Sequence, residues 1–105
     1  FCYVDDAVTA TIGVATSEKA NGKIYNVGDS MHEISMMDLA KLIQNQTKSR
    51  ALLIEGAVTE GSPVRRCPNV DDLFRDIQFK CQVGLEEGIS LTDAWYKDRL
   101  IERHE

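Results

Sequence analysis

At 105 residues and 11.8 kDa the chain has room for one domain or a portion of one. Twelve Lys and Arg against seventeen Asp and Glu leave a net charge of −5, which argues against a nucleic-acid backbone binder and a polybasic membrane anchor. No run approaches the roughly 20 apolar residues of a bilayer span. The three cysteines form no C-x-x-C pair, so neither a disulfide framework nor a zinc site is expected, and the expected compartment is a reducing cytoplasm.

The chain opens on Phe1-Cys2-Tyr3-Val4, whose aromatic and β-branched residues predict a short strand over 1–4. So abrupt a start reads as a fragment cut from within a larger fold. Asp5-Asp6 suits a helix N-cap, and the spacing of Val8, Ile12 and Ala15, with Ala10 and Val14 beside them, predicts a helix over 6–17. Asn21-Gly22 marks a turn. Residues 23–28, Lys-Ile-Tyr-Asn-Val-Gly, predict a second strand. Met36, Leu39, Ala40 and Ile43, widened by Met37 and Leu42, form the clearest helical stripe, over 35–48. Ser35 stands three residues before Asp38, close to a capping box. Ala51-Leu52-Leu53-Ile54 predicts a third strand near 51–55.

Gly56, Gly61, Ser62-Pro63 and Pro68 make residues 56–68 a loop. Val70, Leu73, Phe74 and Ile77 then predict a short helix near 70–77. A final helix over 85–101 starts after Gly84, with Glu86 and Glu87 in its first turn and Arg103 and His104 near its negative end. Leu85, Ile89, Thr92, Tyr96 and Leu100 should share its inner face. Alternating helices and strands place the chain in the α/β or α+β class, with α/β preferred.

Few residues stand out chemically. His32 and His104 lack a second His or Cys at ligand spacing, so no metal site is expected. Asp5-Asp6 and Asp71-Asp72 fall at helix starts, where capping explains them without acid–base catalysis. Cys2 and Cys81 read as small buried hydrophobes. Cys67, beside two arginines, is the thiol worth a reactivity test, and a thiol-regulated sensor is one reading of the chain. Gly28-Asp29-Ser30 after a strand lacks both G-x-G-x-x-G and G-x-x-x-x-G-K-[ST], so no dinucleotide site forms here. Trp95-Tyr96, without a basic cluster around it, points to core or docking surface and away from base stacking. Arg65-Arg66 is the adjacent basic pair on the Gly/Pro loop. Arginine forks match phosphate oxygens bidentately; equally, two exposed cations can simply be solvated.

In one order the chain carries Phe-x-Tyr-Val-Asp-Asp at 1–6, Tyr-Asn-Val-Gly at 25–28, Ser-x-x-x-Leu-Ala-x-Leu-Ile at 35–43, Arg-Arg-x-Pro-Asn-Val at 65–70, and Leu-Glu-Glu-Gly-Ile with Trp-Tyr at 85–96. This set resembles the C-terminal third of the NAD-dependent sugar-nucleotide epimerase/dehydratase family, the extended short-chain dehydrogenases, across nearly all of the chain.

The resemblance implies a Rossmann parent whose missing N-terminal half binds NAD and carries a Ser/Thr and a Tyr-x-x-x-Lys set. Residues 1–105 would be the substrate-binding portion, inactive alone and binding no cofactor itself. The family's Arg before Phe-x-Tyr-Val would precede Phe1. Arg66, and Arg65 beside it, would hold the diphosphate of a UDP- or dTDP-sugar, and Asp6 would cap the helix after the first strand. The parent would be a homodimer, and residues 25–28, torn from their sheet, would expose an edge that favours self-association. Asn69 stands where the family usually has Asp, and Gln78-Phe79 where it usually has Gly-Trp. The arginine that many members carry ahead of a Gly-Asp is absent at Thr59. Arg-Arg-x-Pro leans toward the UDP-glucuronate decarboxylase and dehydratase branch. The alternative is a small non-enzymatic interaction module whose apolar helix faces dock a partner.

Overall fold

The computed structural model describes residues 1–102. Four α-helices follow in order: α1 (Val4–Thr16), α2 (Met36–Thr47), α3 (Asp71–Ile77) and α4 (Leu85–Glu102), with a 3-10 turn at Glu18–Ala20 after α1. They belong to two compact units, one of Phe1–Glu33 with Cys67–Leu85, the other of Ile34–Arg66 with the chain from Glu86 on. The assignments to Arg103 and His104 lie outside the described residues.

The first unit buries Ala10, Ala20 and Leu73. α3 packs against the Glu18–Ala20 turn, and its Leu73 is the largest fully buried side chain. α1 turns a face other than the expected one inward. Val8 and Ile12 are exposed, whereas Asp6 and Ala10 are buried. The small residues explain this, because a Cβ on Gly13 would lie only 3.0 Å from Ile77 Cδ1. α1 therefore meets α3 through its least bulky stripe.

The expected N-cap roles also change. Tyr3 is the N-cap of α1 and offers no side-chain bond. Asp6 sits in the first turn, and its carboxylate accepts from the backbone N–H groups of Gln82 at 3.1 Å and Val83 at 3.0 Å. It pins a distant loop and does not cap its own helix. At α3 it is Asn69 whose Oδ1 accepts from Asp71 N–H, at 2.9 Å, while Asp71 and Asp72 lie in the first turn.

No strand forms among the described residues, so the strands expected at 1–4, 23–28 and 51–55 are corrected. Val4 already belongs to α1. Residues 23–28 lack a partner strand and are fixed by side chains. Tyr25 OH and Lys23 Nζ both donate to Asp76 Oδ2, at 2.7 and 2.8 Å. Asn26 Nδ2 donates to Asn69 O at 3.4 Å, and Gly28 is buried against Pro68. Ile24, on the opposite side, is 95% exposed. The Asn21-Gly22 turn is present, with Lys23 N–H donating to Ala20 O and Gly22 at φ 68°, the type II requirement.

In the second unit Leu39 of α2 is buried and Ala40 and Leu42 are half-buried, while Met36 is exposed. Ser35 caps α2: its Oγ accepts from Asp38 N–H at 3.0 Å and donates to Asp38 Oδ2 at 2.7 Å. Residues 51–67 are exposed throughout and carry no regular element. Of the expected inner face of α4, Leu85 and Ile89 are half-buried, whereas Thr92, Tyr96 and Leu100 are exposed. Among the described residues no helix is long and apolar enough to cross a membrane.

Candidate functional site

Arg65 and Arg66 lie on the loop between α2 and α3, and both are exposed. Upstream, Ser62 N–H donates to Thr59 O at 3.1 Å with Gly61 at φ 76°, a turn that needs glycine at its third position. Arg65 makes an electrostatic or hydrogen-bonded contact within the chain. Arg66 is exposed, and a guanidinium carries five donors in a fork that suits a phosphate or carboxylate. Cys67 is exposed, with its Sγ 3.8 Å from Ser30 O.

Two polar clusters in the first unit were not anticipated. The Asp76 carboxyl, only 8% exposed, gathers Lys23 Nζ, Tyr25 OH and, at 3.1 Å on its other oxygen, Arg75 Nε. Those hydrogen bonds from Lys23, Tyr25 and Arg75 hold it well below the usual carboxylate range. Partial burial and the bond to Asp76 push the Tyr25 phenol up to about 12. Arg75 also pairs with Asp72 at 2.6 Å, which makes this a structural ion network. In the same unit, Asp29 Oδ2 meets His32 Nδ1 at 2.6 Å and its Oδ1 accepts from Met31 N–H at 2.8 Å. Burial raises the Asp29 pKa, but the His32 and Met31 contacts outweigh it and the net shift is downward.

The second cluster joins the two cysteines read as separate hydrophobes. Cys2 Sγ and Cys81 Sγ lie 3.5 Å apart, although 79 positions separate them. Cys81 Sγ also reaches Gly28 O at 3.5 Å. The Asp6 carboxylate completes the group, with one ligand atom from each residue within 4.8 Å of the others. Burial, then the Cys2 thiol and the Asp29 and Asp6 carboxylates, push the Cys81 thiol up to about 12. Neither thiol carries a short-range ligand signature in the sequence, so only the fold brings them together. The Asp6 link was legible only as an acidic pair near a helix start.

Comparison with known proteins bears on the family of the chain. The chain is 35% identical over 104 positions to a protein named UDP-N-acetyl-alpha-D-glucosaminuronate decarboxylase from Bacillus cytotoxicus, covering 93% of this chain and 32% of that protein. It is 28% identical over 113 positions to Protein CapI of Staphylococcus aureus, covering 91% of this chain and 34% of that protein. No protein-family model matches the chain, and no solved structure matches it. The similarities support the general family to which the motif order points. The chain spans about a third of the length of the curated relatives it matches.

Proposed function

We propose that this chain is the nucleotide-sugar-binding portion of an NAD-dependent epimerase, dehydratase or decarboxylase acting at sugar C4, with Arg66, aided by Arg65, on the substrate diphosphate. The observation that carries this is the similarity of nearly the whole chain to a relative named as a UDP-sugar acid decarboxylase. The exposed Arg66 fork supports it chemically. A charge-assisted hydrogen bond to phosphate contributes about 1.5–3 kcal/mol net. In this reading the reacting groups and the dinucleotide site lie in the remaining two-thirds of the protein. The residues present here do not fit NAD, since none of the described helices opens from a Gly-rich turn after a strand. The chain's contribution is to fix the substrate's phosphate end and so orient the sugar.

Calorimetric titration of the intact protein with UDP, UDP-glucuronate and dTDP, repeated on Arg66→Ala, tests the reading. The expected result is binding of a nucleoside diphosphate that weakens by about 10–100-fold in the variant. Unchanged affinity in Arg66→Ala, or no nucleotide binding by the intact protein, rejects it.

A further inference from the structure

The Cys2–Asp6–Cys81 cluster is independent of the arginine loop, and we propose that it is a binding site for a single zinc-class divalent cation. Three donors converge from three places in the chain: the segment before α1, the first turn of α1, and the loop after α3. The donor set is two sulfurs and one carboxylate oxygen, which suits a borderline-soft ion such as Zn²⁺. Ca²⁺ and Mg²⁺ take oxygen ligands only.

The spacing fits a shared ion. Two thiolates on one tetrahedral zinc, with Zn–S near ~2.3 Å, lie about 3.8 Å apart. The observed separation is 3.5 Å, far beyond the ~2.05 Å of a disulfide. Asp6 is 5% exposed and held in place by the Gln82 and Val83 amides. A carboxylate offers about four acceptor positions, and three amide contacts leave one for a metal. Binding breaks two S–H bonds, forms two metal–sulfur bonds and releases two protons to solvent, with no electron transferred. The fourth position is open to a water molecule. The ion would clip the chain ahead of α1 to the loop after α3.

The test is titration of the reduced, intact protein with Co²⁺. The expected result is a thiolate-to-cobalt charge-transfer band that saturates at one equivalent and disappears on adding Zn²⁺. Cys2→Ser and Cys81→Ser should each weaken Co²⁺ binding beyond the roughly 10–100-fold that loss of an outer-shell partner costs, while Cys67→Ser leaves it unchanged. Far-UV circular dichroism checks each variant, and Cys2→Ala replaces Cys81→Ser if the latter does not fold. No band in the reduced wild type, a band that survives the Cys2 and Cys81 substitutions, or one that depends on Cys67 overturns the site. So does a reduced protein that binds no Co²⁺ yet reoxidises to a Cys2–Cys81 disulfide, which would make the pair a redox couple instead.

Discussion

Asp76 is the residue on which the most contacts converge, and its protonation should be visible in the stability of the first unit. Its carboxylate is held below its usual range by Lys23, Tyr25 and Arg75. A depressed carboxyl stabilises the fold above the unfolded pKa of about 3.9, and that contribution fades as pH falls further toward the folded value. Tyr25 runs the other way. With its pKa raised to about 12, its contribution is complete below about 10 and is lost as pH rises through the folded value. Asp76→Asn should therefore lower Tm by several degrees at pH 7, and the gap to wild type should close on acidification. Ultraviolet titration of the three tyrosines gives a second readout. One phenol should ionise late in the wild type and return toward about 10 in Asp76→Asn. Three tyrosines titrating together in the wild type would show that the Tyr25–Asp76 bond does not persist in solution.

The helix spans were legible from periodicity, because it is local, and capping was read correctly at Ser35 but not at α1 or α3. α2 begins after Ser35 and ends before Lys48, as the Ser35/Asp38 spacing and the apolar stripe predict. The strands were not legible in the same sense. A β-type segment acquires its identity from a neighbouring strand, and the Lys23–Gly28 stretch finds α3 instead, through side chains 51 and 53 positions away. The buried stripe of α1 was misjudged for a related reason: the size of Gly13 and Ala10, set against Ile77, outweighs the larger apolar residues next to them. One departure from the resembled family gains a physical meaning at this scale. Gln78, standing where that family usually has Gly, is the left-handed C-cap of α3 at φ 55°, with its N–H donating to Phe74 O. A side chain in that conformation costs about 1–2 kcal/mol, while glycine gives back part of the gain through the entropy of the unfolded chain. Gln78→Gly should stabilise the protein by about 0.5–1 kcal/mol, raising Tm by a few degrees. A neutral or destabilising result would mean that the Gln78 side chain makes a contact worth more than the strain.

Among the described residues, burial is thin and unevenly shared. Val58, Val64, Ile24, Leu52 and Ile54 are each more than 80% exposed. The first unit compensates with polar pins: Asp6 on Gln82 and Val83, Asp76 on Lys23 and Tyr25. The second unit has Leu39 as its buried large side chain among the described residues, and Ser90 Oγ of α4 donates to Gln46 Oε1 of α2 at 3.3 Å, with both side chains exposed. Local opening tracks the density of buried apolar contacts and shielded hydrogen bonds. Hydrogen exchange should therefore protect the amides of α1 and α3 longer than those of α2 and α4, although α4 is the longest helix at 18 residues and length alone would favour it. The Gln82 and Val83 amides are the sharpest case. They lie outside any helix, yet their acceptor is a buried carboxylate, so they should exchange as slowly as the helical amides of the first unit. Fast exchange at those two positions would mean that Asp6 does not hold the loop, and with it would go the fixed carboxylate on which the cation site beside Cys81 depends.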